Sequence, residues 1–307
     1  MSTSADVSRD ARDNARFVEQ MRRRSRRHEV VGSWALKPVG RRPTLLAYAR
    51  ALHQRRHFIW ADARSRAFSG NHGTFLGNVW LVVRPLLDGF TYFVIFGLLL
   101  QTSRGIDNYI GYLLIGIFLF QYTGRSLTSG ASAVIGGRNM IRAFNFPRAS
   151  LPISVVLREA IGMLPVLATM TVLVLAIPPH AKVTWQWSFF PAIFALQTIF
   201  NLGVAFFAAR ATARVPDLKN VLGFVSRFWL YGSAVMFSFD RFVDHPEILA
   251  ILELNPAFIV LDMARDVLLY AATPALTSWI VLSLWAFGTA ILGFLYFWRA
   301  EERYGRE

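Results

Sequence analysis

Residues 277–298 read TSWIVLSLWAFGTAILGFLYFW, and residues 187–209 read WSFFPAIFALQTIFNLGVAFFAA. Neither stretch contains aspartate, glutamate, lysine or arginine. An α-helix rises about 1.5 Å per residue, so about 20 apolar residues cross a hydrocarbon core that is about 30 Å thick. These two stretches therefore predict membrane-spanning helices and place the chain in the all-α class of membrane proteins.

Four more apolar stretches bring the predicted number of transmembrane helices to six. The first of them is the least regular, because Arg84 and Asp88 interrupt it. Of the 307 residues, 54% are hydrophobic and 14% aromatic, a composition that soluble domains of this size seldom reach. The four additional spans are predicted at residues 79–100, 109–136, 149–177 and 220–239.

The connection between the fifth and sixth spans, residues 240–276, is predicted to form short gate helices. It holds two apolar pieces, residues 248–261 and 267–276, each too short to cross the bilayer. Segments of this length are more often re-entrant or interfacial than spanning, and they are tolerated beside protein or a water-filled cavity. The charged residues between the two pieces are Asp262, Arg265 and Asp266.

Basic residues are concentrated on one side of the predicted membrane. Sixteen of the 33 lysines and arginines precede residue 75, and the loops on the same side raise its total to 25. The loops on the other side carry four. Because basic residues stay preferentially in the cytoplasm, both termini are predicted to be cytoplasmic, in a plasma (inner) membrane protein. The net charge of +14 then reflects topology, and no nucleic-acid partner is expected.

Three regions are predicted along the chain. Residues 1–43 carry too little apolar surface to fold, which indicates a disordered basic cytoplasmic tail. Residues 44–75 contain an amphipathic interface helix, over 44–68, that lies along the membrane surface or packs against a soluble partner. Residues 76–307 form the six-span transmembrane domain. The apolar face of the interface helix carries Leu45, Tyr48, Leu52, Ile59 and Ala63.

Catalytic and ATP-binding motifs are absent from the sequence. There is no cysteine, and none of the three lysines follows a glycine-rich loop, so no Walker motif exists. The six histidines lack paired spacing on a predicted span, and no metal site is predicted. We therefore assign no catalytic residue and no cofactor to this chain, and expect any ATP to be hydrolysed by another polypeptide.

Polar and aromatic residues inside the predicted spans are candidates for a channel that binds substrate. Charge at membrane depth is costly and favours a function, although an Arg84–Asp88 ion pair is the structural alternative in the first span. Arg125 lies deeper, within the polar run 121–132, and is expected to face a bundle interior or an aqueous channel. Charged residues near enough to the cytoplasmic end to reach headgroups are Arg158, Glu159 and Arg227. Aromatic rings suit the apolar faces of sugars, with packing or lipid-facing roles as alternatives. The channel candidates are Arg84, Asp88, Tyr92, Tyr112, Phe118, Tyr122, Arg125, Trp229, Tyr231 and Phe237.

Residues 138–148, between the second and third spans, form a short amphipathic stretch on the predicted cytoplasmic side. Its apolar side chains gain nothing from exposure to water, so it is predicted to dock a soluble partner, with a loop lying on lipid headgroups as the alternative. The candidate contacts in this stretch are Arg138, Asn139, Met140, Ile141, Arg142, Phe146 and Pro147.

Three short motifs follow one another around the predicted spans. They are Asp62-Ala63-Arg64-Ser65-Arg66, then Leu76-Gly77 with Trp80 and Pro85-Leu86-Leu87, then Asn255-Pro256 with Arg265. In this order they resemble the permease (transmembrane) subunits of ABC-2 type exporters, Wzm-like proteins that carry lipid-linked polysaccharides such as O-antigen, teichoic acid or mycobacterial galactan. The resemblance covers residues 44–307.

The resemblance implies a homodimer whose two copies form the translocation path, with two copies of a nucleotide-binding ATPase subunit that use ATP and Mg. It implies a polyprenyl-linked glycan as substrate and membrane lipids around the dimer. Galactan is favoured because the arginine- and alanine-rich composition resembles that of high-GC actinobacterial members. By the same resemblance, the interface helix and the 138–148 stretch contact the ATPase, and the 240–276 hairpin forms the gate. The further residues implicated are Arg55, Arg64 and Arg66 in coupling, and Asn255, Pro256 and Arg265 in the gate.

Three alternative functions stay open. An exporter of small hydrophobic drugs or lipids would share the fold, and the tyrosines within the spans together with Arg125 favour a glycan over it. A membrane-embedded glycosyl- or acyltransferase would need an Asp-x-Asp motif or a catalytic histidine near the end of a span, and the sequence has neither. A channel or secondary transporter would show inverted repeats and buried acids, and no repeat is evident.

Overall fold

The computed structural model describes residues 44–69, 77–99, 106, 108–144, 146–239 and 246–305. Within these ranges every regular element is a helix and no strand occurs, so the predicted all-helical fold is confirmed. The predicted basic tail, residues 1–43, and Leu76 of the second motif lie outside the described residues.

Two helices, α1 (Leu45–Gln54) and α2 (Arg56–Ser69), occupy the region predicted as one amphipathic helix. The chain turns between them at Arg55, whose side chain is exposed. Four of the five residues predicted to share the apolar face are buried, and the fifth, Leu45, is exposed. The buried side chains let α2 pack against the third long helix of the chain, so this region is attached to the bundle by apolar contact.

Among the described residues, four helical segments are long and apolar enough to cross a membrane: Val82–Leu99, Ser150–Ala176, Trp185–Arg214 and Leu276–Trp298. They correspond to the first, third, fourth and sixth predicted spans. Their helices are α3 (Trp80–Tyr92) with a π-helical extension Phe93–Leu99, α7 (Ser150–Ala176), α8 (Phe190–Arg214) after a 3₁₀ turn Trp185–Phe189, and α12 (Leu276–Trp298).

The second and fifth predicted spans each fall short in one respect. The helix α4 (Tyr109–Ala131) has 23 residues, but its second half is polar. The helix α9 (Leu218–Tyr231) has only 14 residues, too few to cross the hydrocarbon core. Six spans therefore stay a prediction. Two short helices, α5 (Ala133–Gly136) and α6 (Arg138–Ala143), follow α4.

The structure corrects the predicted fifth span, residues 220–239. The helix ends at Tyr231, and residues 232–239 are turns, bends and irregular backbone. Ala234 has a φ of 48°, in the left-handed region that a right-handed helix cannot include. The predicted helix is wrong over residues 232–239, because the apolar sequence continues through this turn and hydropathy does not report where a helix stops.

The predicted gate hairpin contains α10 (Pro246–Glu253) and α11 (Pro256–Leu268). The break between them lies at Asn255, and not at the three charged residues predicted to separate the pieces, which fall inside α11. The Asn255 side chain accepts a hydrogen bond from the Ala257 N–H at 3.1 Å, and Pro256 occupies the first turn. Both features are typical of a helix start, which explains why the second helix begins here.

The helix α4 is the centre of the bundle, because it packs against α7, α8, α9 and α11 and most of its side chains are buried. A second close packing joins α8 to α12. A Cβ atom at Gly203 would lie 2.4 Å from the carbonyl carbon of Thr289, so these two helices meet at backbone distance. Small residues at such a contact are typical of helix pairs in membranes.

Candidate functional site

The polar half of α4, residues 121–131, is the centre of the candidate site. Arg125 lies in its middle, with 35% of the side chain exposed. Its Nε is 3.9 Å from Oε2 of Glu159 on α7, and its Nη2 donates to the sulfur of Met163 at 3.6 Å. Nε has no hydrogen-bond partner among the described residues. Because a guanidinium offers five N–H donors, Arg125 keeps most of its hydrogen-bonding capacity for other groups.

Glu159 connects Arg125 to its neighbours. Its Oε1 accepts hydrogen bonds from Nη2 of Arg158 at 2.9 Å and from the Ser129 hydroxyl at 3.0 Å. One carboxylate therefore faces two guanidinium groups, and the cluster carries a net positive charge.

Two adjoining cavities run along this half of α4, and Thr128 lines both. The smaller, of about 250 Å³, lies between α3, α4 and α9. The larger, of about 650 Å³, lies between α2, α4 and α7. Polar and aromatic side chains lining the smaller cavity include Tyr92, Gln121, Arg125, Ser226 and Arg227. Those lining the larger include Asp62, Arg66, Ser129, Ser132, Arg158 and Lys219.

The first predicted span contributes Asp88 to this region. Oδ2 of Asp88 accepts a hydrogen bond from Nε2 of Gln121 on α4 at 2.7 Å. In the part of the chain that the structure describes, no ion pair joins Asp88 to Arg84, whose side chain is exposed. Asp88 therefore holds α3 to α4 by a hydrogen bond.

Three aromatic residues predicted to line the channel are buried in this structure. Phe118 and Tyr122 are 1% and 0% exposed, and the Tyr122 hydroxyl donates to Oγ1 of Thr198 at 2.9 Å. Tyr112 is also buried, and its hydroxyl donates to the backbone oxygen of Ala234 at 2.9 Å. Phe118 and Tyr122 are covered by the other helices, whereas Tyr112 also lines a separate cavity of about 750 Å³. A channel role for these three stays a prediction.

The other predicted channel aromatics lie nearer to the surface. Tyr92 is half-buried and lines the smaller cavity together with Arg125. Tyr231 is exposed, at the end of α9. Trp229 and Phe237 are half-buried and lie on either side of the turn that follows α9. The structure thus brings Tyr92 and Arg125 together, with Asp88 attached to the same region through Gln121, and places the other predicted channel aromatics elsewhere.

Asn255, one of the predicted gate residues, holds the turn after α9. Its Nδ2 donates to the backbone oxygen of Gly232 at 2.7 Å and to the Ser233 hydroxyl at 2.9 Å. Its Oδ1 accepts a hydrogen bond from Nε1 of Trp229 at 2.9 Å. The same side chain caps α11, so it fixes the start of α11 to the end of α9.

Arg265 holds the same turn from the next part of α11, and its side chain is almost completely buried. Its Nη2 donates to the backbone oxygens of Ala234 at 3.0 Å and Val235 at 3.1 Å. Both Nε and Nη2 approach the backbone oxygen of Tyr112 at 3.3 Å, and the guanidinium carbon lies 3.3 Å from the centre of the Tyr112 ring. Backbone oxygens and an aromatic face therefore stabilise this buried charge.

The coupling candidates on α1 and α2 are accessible. The side chains of Arg55, Arg64 and Arg66 are exposed, and Nε of Arg66 donates to Oδ1 of Asp62 at 2.7 Å. Oδ2 of Asp62 in turn accepts a hydrogen bond from the Ser154 hydroxyl on α7 at 2.9 Å. The Asp-x-x-x-Arg part of the first motif thus attaches α2 to α7 and orients one exposed arginine.

The coupling candidates in residues 138–148 divide into an inner and an outer group. Ile141 is buried, and Met140 and Phe146 pack against the same apolar cluster, which includes Tyr48 of α1. Ile141 is covered within the chain and Met140 and Phe146 are covered in part, so the predicted role of Ile141 in docking a partner does not fit its position. The predicted contacts of the stretch with exposed or half-buried side chains are Arg138, Asn139, Met140, Arg142, Phe146 and Pro147.

A hydrogen-bonded cluster that sequence reasoning missed joins α1 to the end of α12. The Tyr48 hydroxyl donates to Oε2 of Glu301 at 2.7 Å and accepts a hydrogen bond from the Ala149 N–H at 2.9 Å. Oε1 of Glu301 accepts from the Arg148 N–H at 2.9 Å, and the Arg148 guanidinium donates to the Glu301 backbone oxygen. No local pattern could reveal a contact between residues 253 positions apart.

Burial sets the protonation of this cluster. It raises the pKa of the Tyr48 hydroxyl, an effect that the neighbouring Glu301 strengthens, so Tyr48 stays neutral and able to donate. Burial also raises the pKa of the Glu301 carboxyl, while hydrogen bonds from Arg148 and Tyr48 oppose the rise.

Metal ligands do not cluster in the described residues, where no group of three or more histidine, aspartate or glutamate side chains is placed to hold an ion. The polar features of the site are therefore the arginine-lined cavities and the two hydrogen-bonded clusters described above.

Comparison with known proteins gives relatives of one kind, although no family model matches the chain. The chain is 23% identical over 248 residues to the O-antigen export system permease protein RfbA of Myxococcus xanthus. That alignment covers 79% of this chain and 94% of the relative. Two proteins of the same name from Klebsiella pneumoniae are 27% identical over 165 residues and 24% identical over 164 residues. These alignments cover 54% and 53% of this chain and 62% of each Klebsiella protein. The predicted resemblance to polysaccharide-export permeases is confirmed, and the chain is a multi-pass membrane protein similar to permease subunits.

Proposed function

We propose that this chain is the transmembrane subunit of an ABC transporter that exports a lipid-linked polysaccharide, galactan or O-antigen-like, across the plasma membrane. The observation that carries the proposal is the alignment with a named O-antigen export permease over 94% of that protein's length. Two copies of this chain form the path, and two copies of a separate ATPase subunit, with ATP and Mg, drive it. The chain itself is a transport subunit and not an enzyme.

The proposed arrangement has six spans, with both termini in the cytoplasm. The distribution of basic residues supports it, since 25 lie on one predicted side and four in the loops of the other. The polar second half of α4 is compatible with a span that other helices surround, because polar side chains are tolerated where they face protein or an aqueous cavity. The short α9 completes a span together with the turn after it, which Asn255 and Arg265 hold.

Coupling to the ATPase is mechanical in this proposal. Closure of the ATPase dimer on ATP pushes the exposed arginines of α2 and the outer residues of the 138–148 stretch. The first motif attaches α2 to α7 through Asp62 and Ser154, at 2.9 Å, so a displacement of α2 is transmitted to a long helix. The resulting movement opens the path between the two copies of the chain.

Export by reconstituted vesicles tests the proposal. This chain is co-purified with its ATPase subunit, and ATP hydrolysis and export of a polyprenyl-linked glycan are measured together. Reversing the charges of Arg138 and Arg142 to glutamate should lower export at least tenfold while ATP hydrolysis continues. The control is Arg214→Glu, an exposed arginine outside this stretch. Unchanged export in the double variant contradicts the coupling role, and failure of an ATPase subunit to co-purify contradicts the function.

A further inference from the structure

We propose that the two cavities along the polar half of α4 bind the phosphate group of a polyprenyl phosphate-linked substrate, with Arg125 as the central cation. The inference rests on the proposed function, and it names the chemical group that the site recognises. These cavities recognise the phosphate of the lipid carrier, and the sugars of the substrate lie outside them.

Positive charge exceeds negative charge around the cavities. Five cationic side chains line them, whereas Asp62 is the one carboxylate among the lining residues of the two described cavities. Counting also Glu159 and Asp88, which are hydrogen-bonded to lining residues, the excess is two positive charges. Arg125 lies deep in a predicted span, where a cation is costly unless an anion neutralises it. The cations are Arg66, Arg125, Arg158, Lys219 and Arg227.

The partners of these cations are unequally distributed. Arg66 is paired with Asp62 at 2.7 Å and Arg158 with Glu159 at 2.9 Å. Arg125 has only the longer approach to Glu159, at 3.9 Å, and the contact with a methionine sulfur. Among the described residues, no hydrogen bond or ion pair involves the side chain of Arg227. The side chain of Lys219, which lines the larger cavity, likewise has no hydrogen bond or ion pair within the described ranges, so cations with free capacity line both cavities.

A phosphate suits this arrangement better than a sugar. A guanidinium presents parallel N–H donors that match two oxygens of a phosphate, and a charge-assisted pair of this kind is stronger than a neutral hydrogen bond. A volume of about 250 Å³ accommodates one or two phosphate groups. The larger cavity adjoins it at Thr128 and contains Lys219 and Arg66, so cations continue from one cavity into the other.

Substitution of Glu159 distinguishes a phosphate site from a purely structural ion pair. Its carboxylate lies 3.9 Å from the Arg125 guanidinium, where it repels an incoming anion and competes with it for the same cation. Neutralising Glu159 should therefore strengthen phosphate binding, whereas neutralising Arg125 should weaken it. A purely structural role for this ion pair predicts the same direction of change for both substitutions.

The test is a binding measurement on the full-length chain in nanodiscs of zwitterionic lipid, without ATP. The probes are polyprenyl phosphate, the neutral polyprenol of equal length, and inorganic pyrophosphate as competitor. We expect polyprenyl phosphate to bind at least tenfold more tightly than polyprenol. Arg125→Gln should weaken binding of the phosphate at least tenfold, and Glu159→Gln should strengthen it. The matched control is Arg214→Gln, an exposed arginine outside both cavities, which should leave binding unchanged.

The outcomes separate the possible sources of the phosphate. Displacement by pyrophosphate supports a site that also accepts free phosphate groups, and tight binding without displacement supports a site that needs the lipid as well. Equal binding of polyprenol and polyprenyl phosphate overturns the inference, as does unchanged binding in Arg125→Gln. If that variant fails to fold, Arg227→Gln serves instead, since its side chain is exposed. Because the binding assay uses neither ATP nor export, a negative result contradicts the phosphate site and does not contradict the proposed function, which the export assay tests separately.

Discussion

Replacing Arg265 with methionine should loosen the turn that follows α9. The substitution removes the donor to the backbone oxygens of Ala234 and Val235, and it removes the cation above the Tyr112 ring. A buried acceptor left without a partner costs about 1–3 kcal/mol, and a desolvated cation–π contact contributes about 2 kcal/mol. Ala234 keeps the hydrogen bond from the Tyr112 hydroxyl, and the variant no longer buries a charge, so both effects reduce the loss. We expect a net destabilisation of about 2–4 kcal/mol.

Hydrogen exchange of the backbone amides in residues 232–239 measures this effect where it arises. Since about 1.4 kcal/mol corresponds to a factor of ten, exchange of these amides should accelerate roughly 30- to 700-fold in Arg265→Met. The control is Arg299→Met, which removes an exposed arginine after α12 and should leave the exchange unchanged. Equal exchange in Arg265→Met and the unsubstituted protein would refute the reasoning, and so would equal acceleration in both variants.

Two further substitutions test the packing of the bundle and the cluster that joins its ends. Gly203→Ala should destabilise the α8–α12 contact by about 1–3 kcal/mol, because the added methyl would lie 2.4 Å from the backbone of Thr289. The control Gly288→Ala, whose methyl would have nothing within 4 Å, should be neutral or stabilising. Denaturant unfolding in mixed micelles compares the two variants, and equal effects contradict the close approach of the helices. Tyr48→Phe should lower the free energy of unfolding by about 1–3 kcal/mol, because it leaves the Glu301 carboxylate without one donor. Limited proteolysis should then cleave α1 from the protein faster, and an unchanged cleavage rate contradicts the docking role of Tyr48.

Membrane physics explains which helices the sequence predicts well. A bilayer imposes a minimum apolar length, so the charge-free stretches of α8 and α12 are visible in the sequence without any knowledge of their neighbours. The same criterion loses accuracy for α4, whose second half is polar because other helices cover it and an internal cavity adjoins it. It fails at residues 232–239, where the backbone leaves the helix without any change in hydropathy.

The candidate site was predictable where a residue's type is unusual for its depth. Arg125 stands out in a long apolar run, and the structure places it in a cavity. Asn255 and Arg265 were found by the family resemblance, but their task, which is to bind one turn of backbone from two directions, depends on three-dimensional contacts. Aromatic residues are ambiguous in the sequence, since Phe118 and Tyr122 would be apolar and aromatic whether they line a channel or fill a core, and the structure buries both.

The cluster of Tyr48, Ala149 and Glu301 has a consequence for the order in which the protein is made. Tyr48 leaves the ribosome long before Glu301, which is 253 residues further along the chain. During that interval the Tyr48 hydroxyl lacks its carboxylate partner, so the hydrogen bond that joins α1 to the end of the bundle forms only after the last long helix has been synthesised. Complete docking of α1 through this hydrogen bond therefore requires a fully synthesised chain. An ATPase that contacts α1 would encounter the docked form only on such chains.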